Sequence, residues 1–215
     1  MSELESLVLW ENDDYLVLNK PAGIASQSSN QTVESVWTKL EKNNNQNYHL
    51  SNRLDQPVSG CLAFSKHKDD GFTERPIHKV YVAIVEKKKE IEDKGTLINY
   101  IKRVPSKSKS ICSDDKKEGF KKAVLHYTIL KELDNYIILK IILRTGRFHQ
   151  IRSQLSHFGL PIKGDVKYGA RRKNKDRSIH LHAREIKLYP NTEEEQTIQA
   201  DFPKDVLWGE AATVI

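Results

Sequence analysis

Apolar positions in this chain fall mostly into short runs and alternations, the pattern of strands. Leu7–Trp10 and Tyr15–Leu18 flank the turn-forming Glu11-Asn12-Asp13-Asp14 and predict a hairpin, and Asn19-Lys20-Pro21-Ala22-Gly23 breaks its second strand. Val33, Val36, Trp37 and Leu40 recur at helical spacing and predict a helix that ends near the Asn43-Asn44-Asn45 loop. Leu62-Ala63-Phe64 reads as a short buried strand and Lys79–Val85 as a strong one, with the polar stretch Asp69–Ile77 between them partly helical. Ala123–Leu130 and Tyr136–Leu143 form a strand pair about Glu132–Asn135, with Ile137, Leu139, Ile141 and Leu143 on one face. Phe148, Ile151, Leu155 and Phe158 make one stripe of a helix stopped by Gly159-Leu160-Pro161, and Ile179–Leu188 reads as a final strand closed by Tyr189-Pro190.

Glu86–Phe120 breaks this regularity. It is rich in Lys, Ser and Asp and reads as a basic hairpin or flexible arm, the least ordered region, with Thr96–Ile101 as an edge strand. Many strands and few helices give an α+β fold, a mixed, mostly antiparallel β-sheet with flanking helices. Neither a repeat nor a linker interrupts it, so residues 1–215 are expected to form a single domain.

Charge adds a partner class. Lys and Arg number 35 against 29 Asp and Glu, a formal net charge of +6, and an isoelectric point near 9.1 favours an anionic partner such as nucleic acid. The two cysteines, Cys61 and Cys112, lack metal-ligand spacing, so no metal is expected, and such sparse cysteine suits an intracellular protein. No signal-peptide pattern and no apolar run long enough for a bilayer is present, so no membrane partner is expected and the cytoplasm is the expected compartment. The absence of a phosphate-binding glycine loop or dinucleotide fingerprint argues against a nucleotide cofactor.

Candidate chemistry begins at Asn52-Arg53-Leu54-Asp55-Gln56-Pro57-Val58-Ser59-Gly60. Here a carboxylate sits two residues from a guanidinium in a turn-rich segment. Asp55 so held can act as base or nucleophile, with a neighbouring cation keeping it ionised; the plainer role is a turn acid bonded to its own backbone. Arg144-Thr145-Gly146-Arg147-Phe148-His149-Gln150-Ile151-Arg152 supplies further guanidinium groups at a predicted helix start, a place suited to phosphate or carboxylate. Arg147, His149 and Arg152 lie largely off the apolar stripe. An arginine from this segment reaching Asp55 would fix its charge and aim. Tyr81 alternates with Val80, Val82 and Ile84, so it faces away from their side of the sheet, where it could stack on a base or move a proton. His180 and His182 share one side of a strand and read as polar surface or RNA contacts rather than a metal pair.

Taken together these segments resemble the RluA-type family of pseudouridine synthases. The family's His-Arg-Leu-Asp motif corresponds to Asn52-Arg53-Leu54-Asp55 with Ser59-Gly60. Its Lys-x-Tyr-x-Ala strand corresponds to Lys79, Tyr81 and Ala83, and its Thr-Gly-Arg-x-His-Gln-Ile-Arg segment to Thr145 through Arg152. Gly159, Pro161, Ile162, Gly164 and Asp165, then Tyr168-Gly169, and the opening Asp14–Gly23 also match in order.

The resemblance implies a central catalytic cleft and isomerisation of uridine to pseudouridine in structured ribosomal or transfer RNA, without a cofactor, by a monomer. It implies Asp55 as the catalytic carboxylate, acting on the sugar or on the base. Tyr81 would lie on the target base and Arg147 would pair with Asp55, with Arg152 as second choice. Arg53 would help extrude the base, Leu54 would pack below the acid, and Lys79, His149, Gln150 and Arg152 would contact RNA. Asn52 stands where the family has His, Gln56 where a basic residue is common, and Phe148 where a small hydroxyl residue follows the arginine. On this reading the chain is expected to begin at the catalytic part, without a small N-terminal RNA-binding domain, so that target choice would fall to the catalytic domain and its basic arm. Two other readings are a non-catalytic RNA-binding protein of the same fold and an Asp-dependent hydrolase of small phosphorylated substrates; the latter lacks clustered metal-binding carboxylates.

Overall fold

The computed structural model describes residues 4–28, 33–43, 47–67 and 78–215. Asp69–Ile77 and the Asn44-Asn45 part of the expected loop lie outside these residues. In chain order the strands are β1 (Val8–Glu11), β2 (Tyr15–Lys20), β3 (His49–Leu50), β4 (Ser59–Ser65), β5 (His78–Glu86), β6 (Lys94–Val104), β7 (Lys109–Ser113), β8 (Lys121–Glu132), β9 (Tyr136–Leu143), β10 (Leu181–Leu188) and β11 (Gln196–Gln199). The α-helices are α1 (Val36–Asn43), α2 (Gln150–His157) and α3 (Val206–Ala212). This is the α+β class the hydrophobic pattern predicts, and no described helix is long and apolar enough to cross a membrane.

The chain divides into two compact units, Met1–Lys79 with His182–Pro203, and Val80–Leu181 with Lys204–Ile215. In the first, β1 pairs antiparallel with β2 and β2 with β4. β10 joins the start of β4 in parallel, and β11 joins β10 antiparallel. Every residue of β4 is buried. Tyr15, Val17, Cys61, Ala63, Ile186, Leu188, Ile198 and Ala200 form one core, the alternate positions of β2, β4 and β10 facing the same way. At the β4–β10 pairing Gly60 has φ of +111°, and a side chain there would collide with the Ala183 backbone.

In the second unit β5, β9, β8, β6 and β7 follow one another, each neighbouring pair antiparallel. Tyr81–Val85 of β5 and Ile137–Leu139 of β9 are buried without alternation, so both faces of these strands are covered. Pro161–Lys163 and His180 bond the edge of β5 away from β9, through Glu86 N to Pro161 O and Ile84 N to His180 O, both 2.9 Å.

The arm differs from the sequence expectation. Glu86–Phe120 holds regular strands: β6 is the second-longest described strand, paired with β8 over Lys94–Ile101 and with β7 over Tyr100–Val104, so Thr96–Asn99 lies beside β8 alone among the described strands, as an edge does. Burial of Leu97, Asn99 and Ile101 at alternate positions explains this; the polar residues between them hid a half-buried strand. The basic hairpin itself is present, as β6 and β7 about Pro105–Lys107. Ile179–Leu188 is also not the last strand, because β11 and then α3 follow it.

Candidate active site

Asp55 lies on the irregular segment between β3 and β4, which is sewn to the stretch after β2. Gly23 N donates to Gln56 O at 2.8 Å, and Gln56 Nε2 donates to Gly23 O at 2.9 Å. Ser26 Oγ donates to Leu54 O at 2.8 Å and accepts from Leu54 N at 3.0 Å. Asn52 fastens the other side: its Nδ2 donates to Cys61 O at 3.1 Å and its Oδ1 accepts from Ala63 N at 2.7 Å, both on β4. Asp55 O closes a turn by accepting from Val58 N at 3.0 Å. The result is a braced loop with Leu54 buried, Asp55 half-buried and Arg53 exposed.

Beneath this loop lies a residue the sequence reading passed over. Lys20 is fully buried, and its Nζ donates to Pro21 O and Ile24 O at 2.8 Å and to Gln56 O at 3.4 Å. Burial pulls its pKa down to about 7, and the Asp55 carboxylate raises it. Three carbonyl acceptors match the three donors of an ammonium, so the cage itself favours the charged form. A lysine closing an apolar strand directly before Pro was the available signal. Lys79, at the end of the same unit, is half-buried and held below the usual lysine value by burial.

In the second unit Tyr81 is buried within β5, so the side of the sheet opposite Val80 and Val82 is covered. The segment from Leu143 to α2 is organised by Gln150. Its Oε1 accepts from Thr145 Oγ1 at 2.8 Å and from Arg147 N at 2.9 Å, and its Nε2 donates to Val124 O at 3.1 Å. Gln150 is thus buried in the protein's own framework. Arg147, exposed, bonds Lys122 O through Nε at 3.1 Å.

His149 enters α2 with φ of +51°, stacked on Phe148 with centroids 3.8 Å apart. Tyr168 OH accepts from Ser110 N at 2.7 Å and shares a hydrogen bond with His149 Nδ1 at 2.9 Å. Arg152 is no surface charge. Its Nε donates to Asp165 Oδ2 at 2.7 Å and its Nη2 to Asp165 Oδ1 at 2.9 Å, with both side chains buried. In the sequence Asp165 stood out only as one of the residues matching the family's motif after Gly159.

His180 and His182 are not polar surface either: both are buried. Asn174 Nδ2 donates to His180 Nδ1 at 3.1 Å, which leaves Nε2–H to donate to Asp205 Oδ2 at 2.9 Å. His182 uses Nε2 toward Ala200 O at 3.2 Å, so Nδ1 accepts from Ser59 Oγ at 2.8 Å. Burial pushes both down to about 4.

Comparison with known proteins places these residues in a family context. The family described as RNA pseudouridylate synthase matches residues 14–157, a span that holds Arg53, Leu54, Asp55, Lys79, Tyr81, Arg147, His149, Gln150 and Arg152. The ribosomal large subunit pseudouridine synthase C of Rickettsia bellii is 34% identical over 171 residues, covering 75% of this chain and 56% of that protein. This chain therefore spans little more than half the length of that relative. The protein named uncharacterized RNA pseudouridine synthase YhcT of Bacillus subtilis is 30% identical over 222 residues, covering 93% of this chain and 69% of that one. The structure of human RNA pseudouridylate synthase domain containing 4 has the same fold, with a TM-score of 0.73 at 24% identity over 94% of this chain and 90% of that chain.

Proposed function

This chain belongs to the RNA pseudouridylate synthase family, and from that premise we propose that it isomerises uridine to pseudouridine in structured ribosomal or transfer RNA. The observation that carries the reading is Asp55: an acid on a loop fixed from both sides, beside the buried Lys20 ammonium, within the family-matched span. The reaction breaks the bond from ribose C1′ to uracil N1 and forms one from C1′ to C5. The C5 proton leaves and N1 gains one, so no net atom or electron is exchanged. A carboxylate serves this chemistry at the sugar carbon or at the base, and in either role it must be ionised and held still.

In this reading Tyr81 lies against the extruded base, Arg147 is the guanidinium partner of Asp55, and Arg53 takes part in extrusion. A base inside a stacked helix must leave the stack before its glycosidic bond can be reached. The whole chain serves as one catalytic domain, acting as a monomer in the cytoplasm, with Lys79, His149, Gln150, Arg152 and the β6–β7 hairpin on the RNA side. Gln150 and Arg152 would act there through the loop they organise, since their polar atoms are bound within the protein.

The test is Asp55→Ala assayed for pseudouridine formation and for RNA binding. The expected result is a rate lowered by about 10³-fold or more with affinity within a few-fold of the parent. Retained modification by Asp55→Ala would remove the acid from the mechanism. If the parent forms no pseudouridine in total RNA while still binding it, the non-catalytic reading replaces this one. Arg147→Ala is expected to lower the single-turnover rate more than the affinity. Mapping pseudouridines in RNA from cells with and without the gene identifies the target.

A further inference from the structure

Past the family-matched span, which ends at His157, the chain carries Arg171, Arg172, Lys173, Lys175 and Arg177, five cations in seven residues against the single acid Asp176. All five side chains are exposed, and among the described residues none is ion-paired. Some other cations of the same unit do have acid partners: Lys87 with Glu132, Lys88 with Glu86, Lys131 with Glu210, Arg152 with Asp165.

The loop is not loose chain. Arg171 N donates to Glu86 Oε1 at 2.7 Å, and Arg177 N donates to Asn174 O at 3.1 Å. The Asn174 side chain accepts from Lys163 Nζ at 2.8 Å and donates to His180 Nδ1 and to Ser178 Oγ at 3.2 Å. Gly164 (φ of +89°) leaves the room that Asn174 fills. The one acid, Asp176, is exposed like its neighbours and accepts from Ser178 N and Oγ, bonds that hold its carboxyl below the usual range.

We propose that this loop is a docking surface for the RNA sugar-phosphate backbone, separate from the residues assigned to the reaction. The proposal rests on the function above, which supplies the polyanion. A row of mutually repelling, unneutralised cations on an anchored backbone is relieved by a chain of phosphates, whereas one small anion would neutralise only part of it.

The test compares the parent with the triple variant Arg172→Gln, Lys173→Gln, Lys175→Gln, whose replaced side chains hold nothing in place. RNA affinity is measured between 50 and 200 mM salt (about the range over which phosphate contacts are read). The expected result is a slope of log affinity against log salt that becomes shallower by about 0.7–0.9 for each contact removed, with the rate at saturating RNA unchanged. Arg172→Lys with Lys173→Arg keeps the charge and is expected to keep the slope. An unchanged slope in the triple variant overturns the proposal. So does a loss seen only on assembled ribonucleoprotein and not on naked RNA, which would assign the loop to a protein partner. Should the parent bind RNA yet form no pseudouridine, the function falls while the docking claim is still decided by the slopes.

Discussion

Lys20 shows how much one buried side chain can govern. Its three carbonyl partners belong to the two stretches that meet beneath Asp55, so Lys20→Met strands three acceptors and is expected to cost about 1–3 kcal/mol in urea unfolding. Its proton also couples to folding. The unfolded chain keeps it up to the ordinary lysine value of 10.5, whereas the folded chain releases it near 7. Across that window the unfolded state binds more protons, so this residue makes stability rise with pH from about 7 toward 10.5, a rise that Lys20→Met should flatten. Arg152→Ala leaves Asp165 charged and buried alone and is expected to cost about 3–5 kcal/mol, much of it recovered when Asp165→Leu is added to Arg152→Met. The polar atoms of Asn52, Gln150 and Arg152 could be read in the sequence as chemistry-bearing. Their partners could not, because each bond joins residues whose approach depends on the folded chain.

Elements whose residues pair locally were legible. The β1–β2 and β8–β9 hairpins follow from apolar runs around turn residues, and α2 from its apolar stripe. Pairings across long separations were not, and β10 beside β4 is the clearest case. Its parallel contact sets Ala183 against Gly60, which no local pattern announces. Gly60→Ala is expected to cost about 1–3 kcal/mol, combining a left-handed φ with overlap on the neighbouring strand. Gly23→Ala, with a similar φ and open space around it, should cost less. Equal losses in thermal unfolding would show that strain, not crowding, dominates at Gly60. The β6–β7 hairpin was visible in its basic charge but misjudged in its order, since its alternation is apolar on one face only.

At the scale of the molecule, acid sensitivity is built into both units. His182 belongs to the first and His180 to the second, and each stays neutral in the fold down to about 4 against an ordinary value of 6.5. Between pH 6.5 and 4 the unfolded chain takes up protons that the folded chain refuses, so stability falls as pH drops through that range. Urea midpoints at pH 7, 5.5 and 4.5 should decline in that order; a flat series would mean that one or both rings accept a proton in place.

The stitching around Asp55 carries one more implication. With Asn52 clamped to β4 and Gln56 tied to Gly23 and Lys20, the acid rides on two neighbouring strands and can travel only if they do. Under the proposed function this makes recognition one-sided: the nucleic acid is expected to do the bending, and a target that resists distortion to be refused for mechanical reasons before any base is read.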